Sequence, residues 1–288
     1  MQPSRQWSCG TDAQWRFDLY PGYKGNRNSD AAKVAMKESY AKQKPFIEAG
    51  LRHLGVRQLT AKWHEADDLA GIFVRKLAAD PTHRVGVITG DQDWLQFVKP
   101  NVFWRDMRDD SRIVTAKNFY DFTGCKSTME FLERKCLTGD NSDTISGVGG
   151  IGEKGAPEFI AEFGSVREFW RRCDAGEFVP KAVAHKRLWK GDSELDKDQW
   201  IAAFTGESTD HVAMKAHILA WPGQGRRLFR RNFQLMQLLK VAPPKKEDIK
   251  LDAGKHDKEA FAKVCEELSF ISILRNLDEF TNLFKQGA

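Results

Sequence analysis

The chain has 288 residues, enough for one large domain or two ordinary ones, and its 41% hydrophobic and 30% charged residues exclude a disordered tail. No apolar run reaches the roughly 18 residues of a spanning helix, so no membrane segment is expected. The polar start Met1–Trp7 lacks the apolar core of a secretory signal, which points to a cytoplasmic protein. The net charge of +5 permits a polyanionic partner without requiring one. Cys9, Cys125, Cys136, Cys173 and Cys265 form no C-x-x-C pair, as expected of free thiols in a reducing compartment without structural zinc.

Residues 1–28 carry the breakers Gly10, Pro21, Gly22 and Gly25 and read as irregular. Ser29-Asp30 caps a helix that starts at Ala31 and runs to about Leu54, with a break expected at Pro45. Residues 56–60 read as a short strand. Glu65 to Ala78 reads as an amphipathic helix, and 84–89 as a buried strand that ends abruptly in Gly90-Asp91-Gln92-Asp93. Strand, acidic turn and helix in that order place a site at the strand's C-terminal end. Short strands follow at 102–104 and 113–115, then helices at 119–122 and 128–137. Five glycines between Gly147 and Gly155 lead into a helix over 157–163. Residues 176–225 read as irregular. The segment 226–241 is basic and apolar by turns, with Leu228, Phe229, Leu235, Leu238 and Leu239 as a core stripe and its arginines as a solvated or acid-paired face. A last helix, 258–284, is broken near Ser269.

Three acidic clusters stand out: Glu65-Ala66-Asp67-Asp68 opening a helix, Asp91-Gln92-Asp93 closing a strand, and Asp140 and Asp143 in a turn. Singly, each suits a helix N-terminus or a self-capped turn. Together at one sheet edge, they would repel one another unless a cation joined them. Hard oxygen donors without competing His or Cys select Mg²⁺ or Mn²⁺. Two such ions about 4 Å apart can hold a phosphodiester and activate water for in-line attack.

Tyr20 to Arg27 sets Lys24 and Arg27 beside Tyr23. It reads either as a solvated loop or as a grip on phosphate, with the ring stacking on a base. The turn Gly147-Val148-Gly149-Gly150-Ile151-Gly152-Glu153-Lys154-Gly155 is not a nucleotide-binding P-loop, since Lys154 is followed by neither Ser nor Thr. It reads as a helix–helix turn offering backbone N–H groups to DNA phosphate, or as an ordinary connector.

In order along the chain, these motifs resemble the phage and bacterial 5′→3′ exonuclease and flap-endonuclease family. Trp15-Arg16 and Leu19 to Arg27 resemble its WR…L…YKxNR stretch, and Glu65 to Asp68 its EADD motif. Thr89 to Trp94 resembles its strand-end (S/T)xDxDW. Gly139 to Ile145 and Gly147 to Gly155 resemble its GDxxDNI-like segment and GVxGIGxK turn.

The resemblance implies an α/β, PIN-like parallel sheet flanked by helices over residues 1–135. It implies a helix-three-turn-helix DNA-binding region with closing helices over 136–288. It further implies a metal-dependent 5′→3′ exonuclease or flap endonuclease, a hydrolase of phosphodiester bonds in DNA with 5′ ends, nicks or flaps, acting as a monomer in the cytoplasm (the host's, if phage-encoded). Asp12, Glu65, Asp67, Asp68 and Asp91 would serve one metal ion, and Asp93, Asp140 and Asp143 the second. Lys24 and Arg27 would act on the scissile phosphate. Tyr23, Gly147, Gly149, Gly150, Gly152 and Lys154 would hold DNA, with K⁺ at the glycine turn. The family's first strand, its Asp and the next helix have no counterpart before Asp12, so the chain reads as shortened at its N-terminus. That departure keeps a second expectation open, a DNA-binding protein of the same fold with impaired turnover. A PIN-type ribonuclease is a third, weakened by the glycine-rich helical turn.

Overall fold

The computed structural model describes residues 13–25, 31–189 and 225–285. Asp12 and Arg27 lie outside the described residues. The chain divides into two units that interleave in sequence: residues 1–13, 30–66 and 244–288, and residues 14–29 and 67–243. The division differs from the break expected after residue 135. Helix Thr128–Thr138 runs straight through that point, inside the second unit.

In the first unit, α2 (Ala31–His53) continues through Pro45, where a break was expected. Proline removes its own N–H from the helical ladder, and here the helix carries on past that loss. Strand β1 (Gln58–Ala61) pairs antiparallel with a strand at Ile249–Asp252, from Gln58 opposite Asp252 to Ala61 opposite Ile249. Arg52 fastens the ribbon to α2 by an Nε bond of 2.6 Å to Asp252. Leu54, Phe261 and Cys265 form the small core, with Ile273, Leu277 and Phe280 packed against it. The closing helix is broken as expected: Ser269 adopts φ 56°, and the segments Lys258–Glu267, Ile271–Arg275 and Leu277–Asn282 follow one another.

The second unit begins with a helix that the polar, aromatic sequence did not announce, α1 (Gln14–Leu19). Helix α3 (Ala66–Leu77) brings Asp67 and Asp68 in its first turn. Strand β2 (Val85–Ile88) pairs parallel with β3 (Val102–Arg105), Val85 opposite Val102 and Ile88 opposite Arg105. Strand β4 (Ile113–Val114) joins β3 antiparallel, because the short 106–112 connection cannot make a parallel crossover. Val74, Val87, Leu95, Phe97, Val102 and Trp104 form the core beneath the strands. Gly71 lets α3 approach closely: a Cβ there would lie 2.2 Å from the Leu238 carbonyl oxygen.

The rest of the second unit is helical. It contains α4 (Phe119–Thr123), α5 (Thr128–Thr138), α6 (Gly155–Phe163), α7 (Val166–Asp174) and α8 (Val183–Trp189), followed by α9 (Gly225–Met236). Helix α8 falls in the stretch expected to be irregular. Between α5 and α6, the two-residue strands β5 (Gly139–Asp140) and β6 (Ile145–Ser146) pair and fold the acidic turn back on itself. Phe159, Phe163 and Phe169 pack edge to face in the core of this region. The arginines of α9 do not form one solvated face. Arg226 pairs with Asp174, whereas Arg231 is buried, with its guanidinium 4.4 Å from the Tyr20 ring. Asn232 beside it donates to the carbonyls of Cys136 and Ser146 at 2.9 and 2.8 Å, tying α9 to both ends of the acidic turn.

Candidate metal and nucleic-acid site

The second unit gathers carboxylates from three places. Asp67 and Asp68 come from the start of α3, Asp91 and Asp93 from the end of β2, and Asp140 and Asp143 from the β5–β6 turn. Glu65 belongs to the first unit.

The α3 pair is occupied by neighbours. Arg16 on α1 makes a two-pronged ion pair with Asp68, with bonds of 2.8 and 2.5 Å. The Arg16 and Asp68 side chains are 1% and 0% exposed. Arg16 also donates Nε to the Leu235 carbonyl at 3.2 Å, which fixes the planar guanidinium. Asp67 accepts from the Trp94 indole N–H at 2.9 Å. In this arrangement Asp68 anchors α1 to α3 rather than standing open to a metal ion.

The strand-end pair is set by local turn chemistry. Asp91 caps the short 3₁₀ helix Gln92–Phe97, accepting the Asp93 N–H at 2.8 Å. Its own N–H donates to the Thr89 hydroxyl, and its carbonyl accepts the buried Trp104 indole N–H at 3.0 Å. The Asp91 carboxyl is raised above its ordinary value by partial desolvation and by the charges of Asp140 and Asp143, with Lys135 and Lys24 opposing.

In the turn, Asp140 Oδ1 accepts the Ser142 N–H and hydroxyl at 2.8 and 2.6 Å, an Asx-type closure. Desolvation opposes ionisation of Asp140, but the Ser142 bonds and Lys135 outweigh it and hold the carboxyl below the ordinary value. Its other oxygen, Oδ2, lies 3.5 Å from Lys135 Nζ. The same ammonium pairs with Asp93. One cation thus bridges a carboxylate of the strand end and a carboxylate of the turn.

Lys24 sits on the other side of the turn. Its N–H donates to the Asp143 carbonyl at 2.9 Å, and its Nζ lies 4.0 Å from the Asp143 carboxylate. Tyr20 donates its hydroxyl to the Thr144 carbonyl at 3.0 Å, so the segment after α1 is laced to the acidic turn. Tyr23 corrects the expectation of a ring open to a base. It is 3% exposed and packs edge to face on Phe17 at 5.5 Å, and Lys24 Nζ lies 4.7 Å from its ring centre.

The glycine turn alternates inward anchors with outward backbone. Val148 and Ile151 are buried, whereas Gly150, Gly152 and Lys154 are exposed. Gly149 and Gly150 have φ of 66° and 84°, the left-handed region that favours glycine. Gly147 touches the Thr138 and Leu137 carbonyls too closely to accept a Cβ. Gly152 needs neither property: a Cβ there would meet nothing within 4 Å, so its backbone is approachable from outside. An open hollow of about 490 Å³ adjoins the turn, walled by Phe159, Glu162 and His185.

As the side chains stand, no three carboxylate, His or Cys groups among the described residues are grouped to hold a metal ion. Asp68 holds Arg16, Asp67 holds Trp94, Asp91 caps a helix, and Asp93 and Asp140 share Lys135. The donor set around Asp91, Asp93, Asp140 and Asp143 is nevertheless all oxygen, and one bridged cation position already exists in it. That chemistry fits a hard divalent ion. The sequence alone assigns no site role to Arg16, Trp94 or Lys135. Arg16 and Trp94 lie in the WR and DxDW motifs, whereas Lys135 carries no signal in the sequence.

The profile "5′-3′ exonuclease, N-terminal resolvase-like domain" matches residues 2–124. The 5′-3′ exonuclease of Bacillus subtilis is 28% identical over 199 residues, 68% of this chain and 62% of that protein. The 5′-3′ exonuclease of Mycoplasmopsis pulmonis is 25% identical over 172 residues, 60% of this chain and 55% of that one. Thermostable DNA polymerase I of Thermus filiformis is 31% identical over 160 residues, 56% of this chain. The chain spans under two thirds of the exonucleases and 18% of that polymerase. The fold matches that of T5 5′-exonuclease with bound zinc, at TM-score 0.56, 21% identity, and 96% and 80% coverage of the two chains. A T5 flap endonuclease complex with DNA and metal ions matches at TM-score 0.53, 20% identity, and 96% and 80% coverage. No described helix is long and apolar enough to cross a membrane. The fold is the PIN-like α/β arrangement of these nucleases, and residues 2–124 match the 5′-3′ exonuclease N-terminal domain.

Proposed function

We propose that the protein is a divalent-metal-dependent 5′ nuclease that hydrolyses phosphodiester bonds in DNA at 5′ ends, nicks or flaps. The observation that carries this reading is the joining of strand-end Asp93 and turn Asp140, both oxygen donors, through the one Lys135 ammonium. Asp91, Asp93, Asp140 and Asp143 would hold divalent metal, with Mg²⁺ or Mn²⁺ the ions that suit their chemistry. Such ions supply charge neutralisation at the phosphate and activation of the attacking water. Lys24, held against the turn by its backbone, offers an ammonium to the phosphate on the Asp143 side. The outward backbone of Gly150 and Gly152, with Lys154, would bind duplex phosphates away from the cut. Asp12, Glu65 and Arg27 complete this reading from the sequence alone.

A second reading is favoured by two observations. Asp68 is committed to Arg16, and Lys135 occupies the span between Asp93 and Asp140. Both fit a chain that binds DNA in this fold with impaired turnover. The deciding experiment is cleavage of 5′-flap, nicked and single-stranded DNA with Mg²⁺ and with EDTA, alongside Asp91→Asn. Mg²⁺-dependent cutting that Asp91→Asn lowers by about a hundredfold or more supports the nuclease. Tight binding without cutting supports the second reading.

A further inference from the structure

Lys135 lies in the last turn of α5, where the helix's C-terminal dipole favours a cation. Leu132 and Cys136 of the same helix face the core, which turns position 135 outward toward the strand end and the turn. Its ammonium pairs with Asp93 and lies 3.5 Å from Asp140 Oδ2. These two carboxylates come from different elements, and Lys135 is the group that they share. Asp140 offers the oxygen not used in the Ser142 closure. A compact ammonium between two carboxylates of this kind neutralises the same oxygens that would help to hold a divalent ion.

The choice of side chain matters. Lysine is a point charge on a flexible four-carbon stem, and it can leave without rebuilding the backbone. An arginine at the same place would hold both carboxylates with a planar fork and would be harder to displace. Without a cation, Asp93 and Asp140 would face the other carboxylates of the site uncompensated, at a cost to the fold.

We propose that Lys135 is a positioning residue that acts as a resident counter-cation: it keeps Asp93 and Asp140 together in the metal-free protein and must be displaced when a divalent ion binds there. This rests on the reading of the strand-end and turn carboxylates as a metal site. Metal affinity and metal-free stability are therefore opposed through one side chain.

The test uses the full chain, freed of metal, titrated with Mn²⁺ and followed by the electron paramagnetic resonance signal of the free ion. Three variants are compared with wild type: Lys135→Met, Lys135→Arg and Lys24→Met, with thermal melts in EDTA and in Mn²⁺. Lys135→Met should bind Mn²⁺ about tenfold more tightly or better, because a competing cation is gone. It should melt lower than wild type in EDTA, and Mn²⁺ should close the gap. Lys135→Arg should bind more weakly than wild type. Lys24→Met removes an equal charge without vacating the bridge and should gain less than Lys135→Met. Unchanged or weaker Mn²⁺ binding by Lys135→Met overturns the proposal, as does an equal gain in Lys24→Met, which would reduce the effect to net charge. No saturable Mn²⁺ binding in any of the four proteins overturns the metal reading itself, and the proposal with it.

Discussion

The two acidic regions of the second unit look alike in sequence and behave differently in the structure. At the start of α3, Asp68 is fully buried and answered by a rigid, two-pronged arginine. At the strand end and turn, Asp93 and Asp140 are partly exposed and answered by one flexible lysine. A buried guanidinium pair is a fixed structural tie, whereas a partly solvated ammonium bridge is exchangeable. Under the proposed function, the difference separates a carboxylate that holds the fold from carboxylates that would take a new cation. It also explains why the EADD motif and the strand-end motif need not share one task in this chain.

The comparison breaks most visibly at the buried pair. Asp68→Ala or Arg16→Ala should cost about 3–5 kcal/mol, since each removes one partner of a buried, two-pronged ion pair. The double change Arg16→Met with Asp68→Leu should recover most of that loss. Urea unfolding measures both. A single-variant loss under about 1 kcal/mol, the worth of an exposed pair, would remove the distinction drawn here.

Lys24→Ala is the next effect in size. If the nuclease reading holds, it should raise the barrier of the cutting step by roughly 2–4 kcal/mol, with a smaller change in duplex affinity. Single-turnover kinetics with saturating enzyme separate the two. An equal loss in affinity with an unchanged rate would place Lys24 in a plain binding loop.

Gly152→Val sharpens the contrast between support and surface within the glycine turn. A side chain at Gly152 meets open space, so the variant should melt like wild type. Its duplex affinity should nonetheless fall, and the salt slope of binding should drop by about one to three units. Gly149→Val, by contrast, meets the Ala184 carbonyl at 2.8 Å with φ at 66°, and should lose stability. A folded Gly152→Val with full duplex affinity would make the turn a connector only.

The smallest effect is a pH signature. The Asp140 carboxyl is held below its ordinary value of 3.8, with Ser142 and Lys135 outweighing desolvation. A depressed carboxyl contributes its stability above the unfolded value and loses it as pH falls through the folded value. Asp140→Asn should therefore flatten the stability curve of the metal-free protein below pH 3.8. Thermal melts across that range report it, and parallel curves for the two proteins would remove Asp140 from the balance.

Much of this was legible in the sequence because it is local. Periodicity marked α3, and the β-branched run over 84–89 marked β2, which the structure places at Val85–Ile88 with Val87 buried but Ile88 exposed, rather than wholly buried as expected. The abrupt Gly90-Asp91 ending marked the strand-end site. What stayed hidden depends on distant partners. Asp68 and Arg16 are 52 positions apart, so nothing near Asp68 announces a buried ion pair. Lys135 looks like any lysine near a helix end until the β5–β6 turn folds back on it. Tyr23 reads as a loop aromatic because its burial comes from Phe17 and the acidic turn rather than from its neighbours. The helix at Gln14–Leu19 is too short to show a period and packs Arg16, Phe17 and Leu19 inward.

The central claim is that the carboxylates of the strand end and the turn, rather than Asp68, are the ones open to divalent metal. Anomalous diffraction from crystals of the full chain soaked in Mn²⁺ tests it most directly. The account predicts an anomalous peak within coordination distance of Asp140 and of Asp93 or Asp143, with Lys135 withdrawn and the Arg16–Asp68 pair intact. A peak ligated by Asp68 with Arg16 displaced, or none near Asp140 at saturating Mn²⁺, would contradict it.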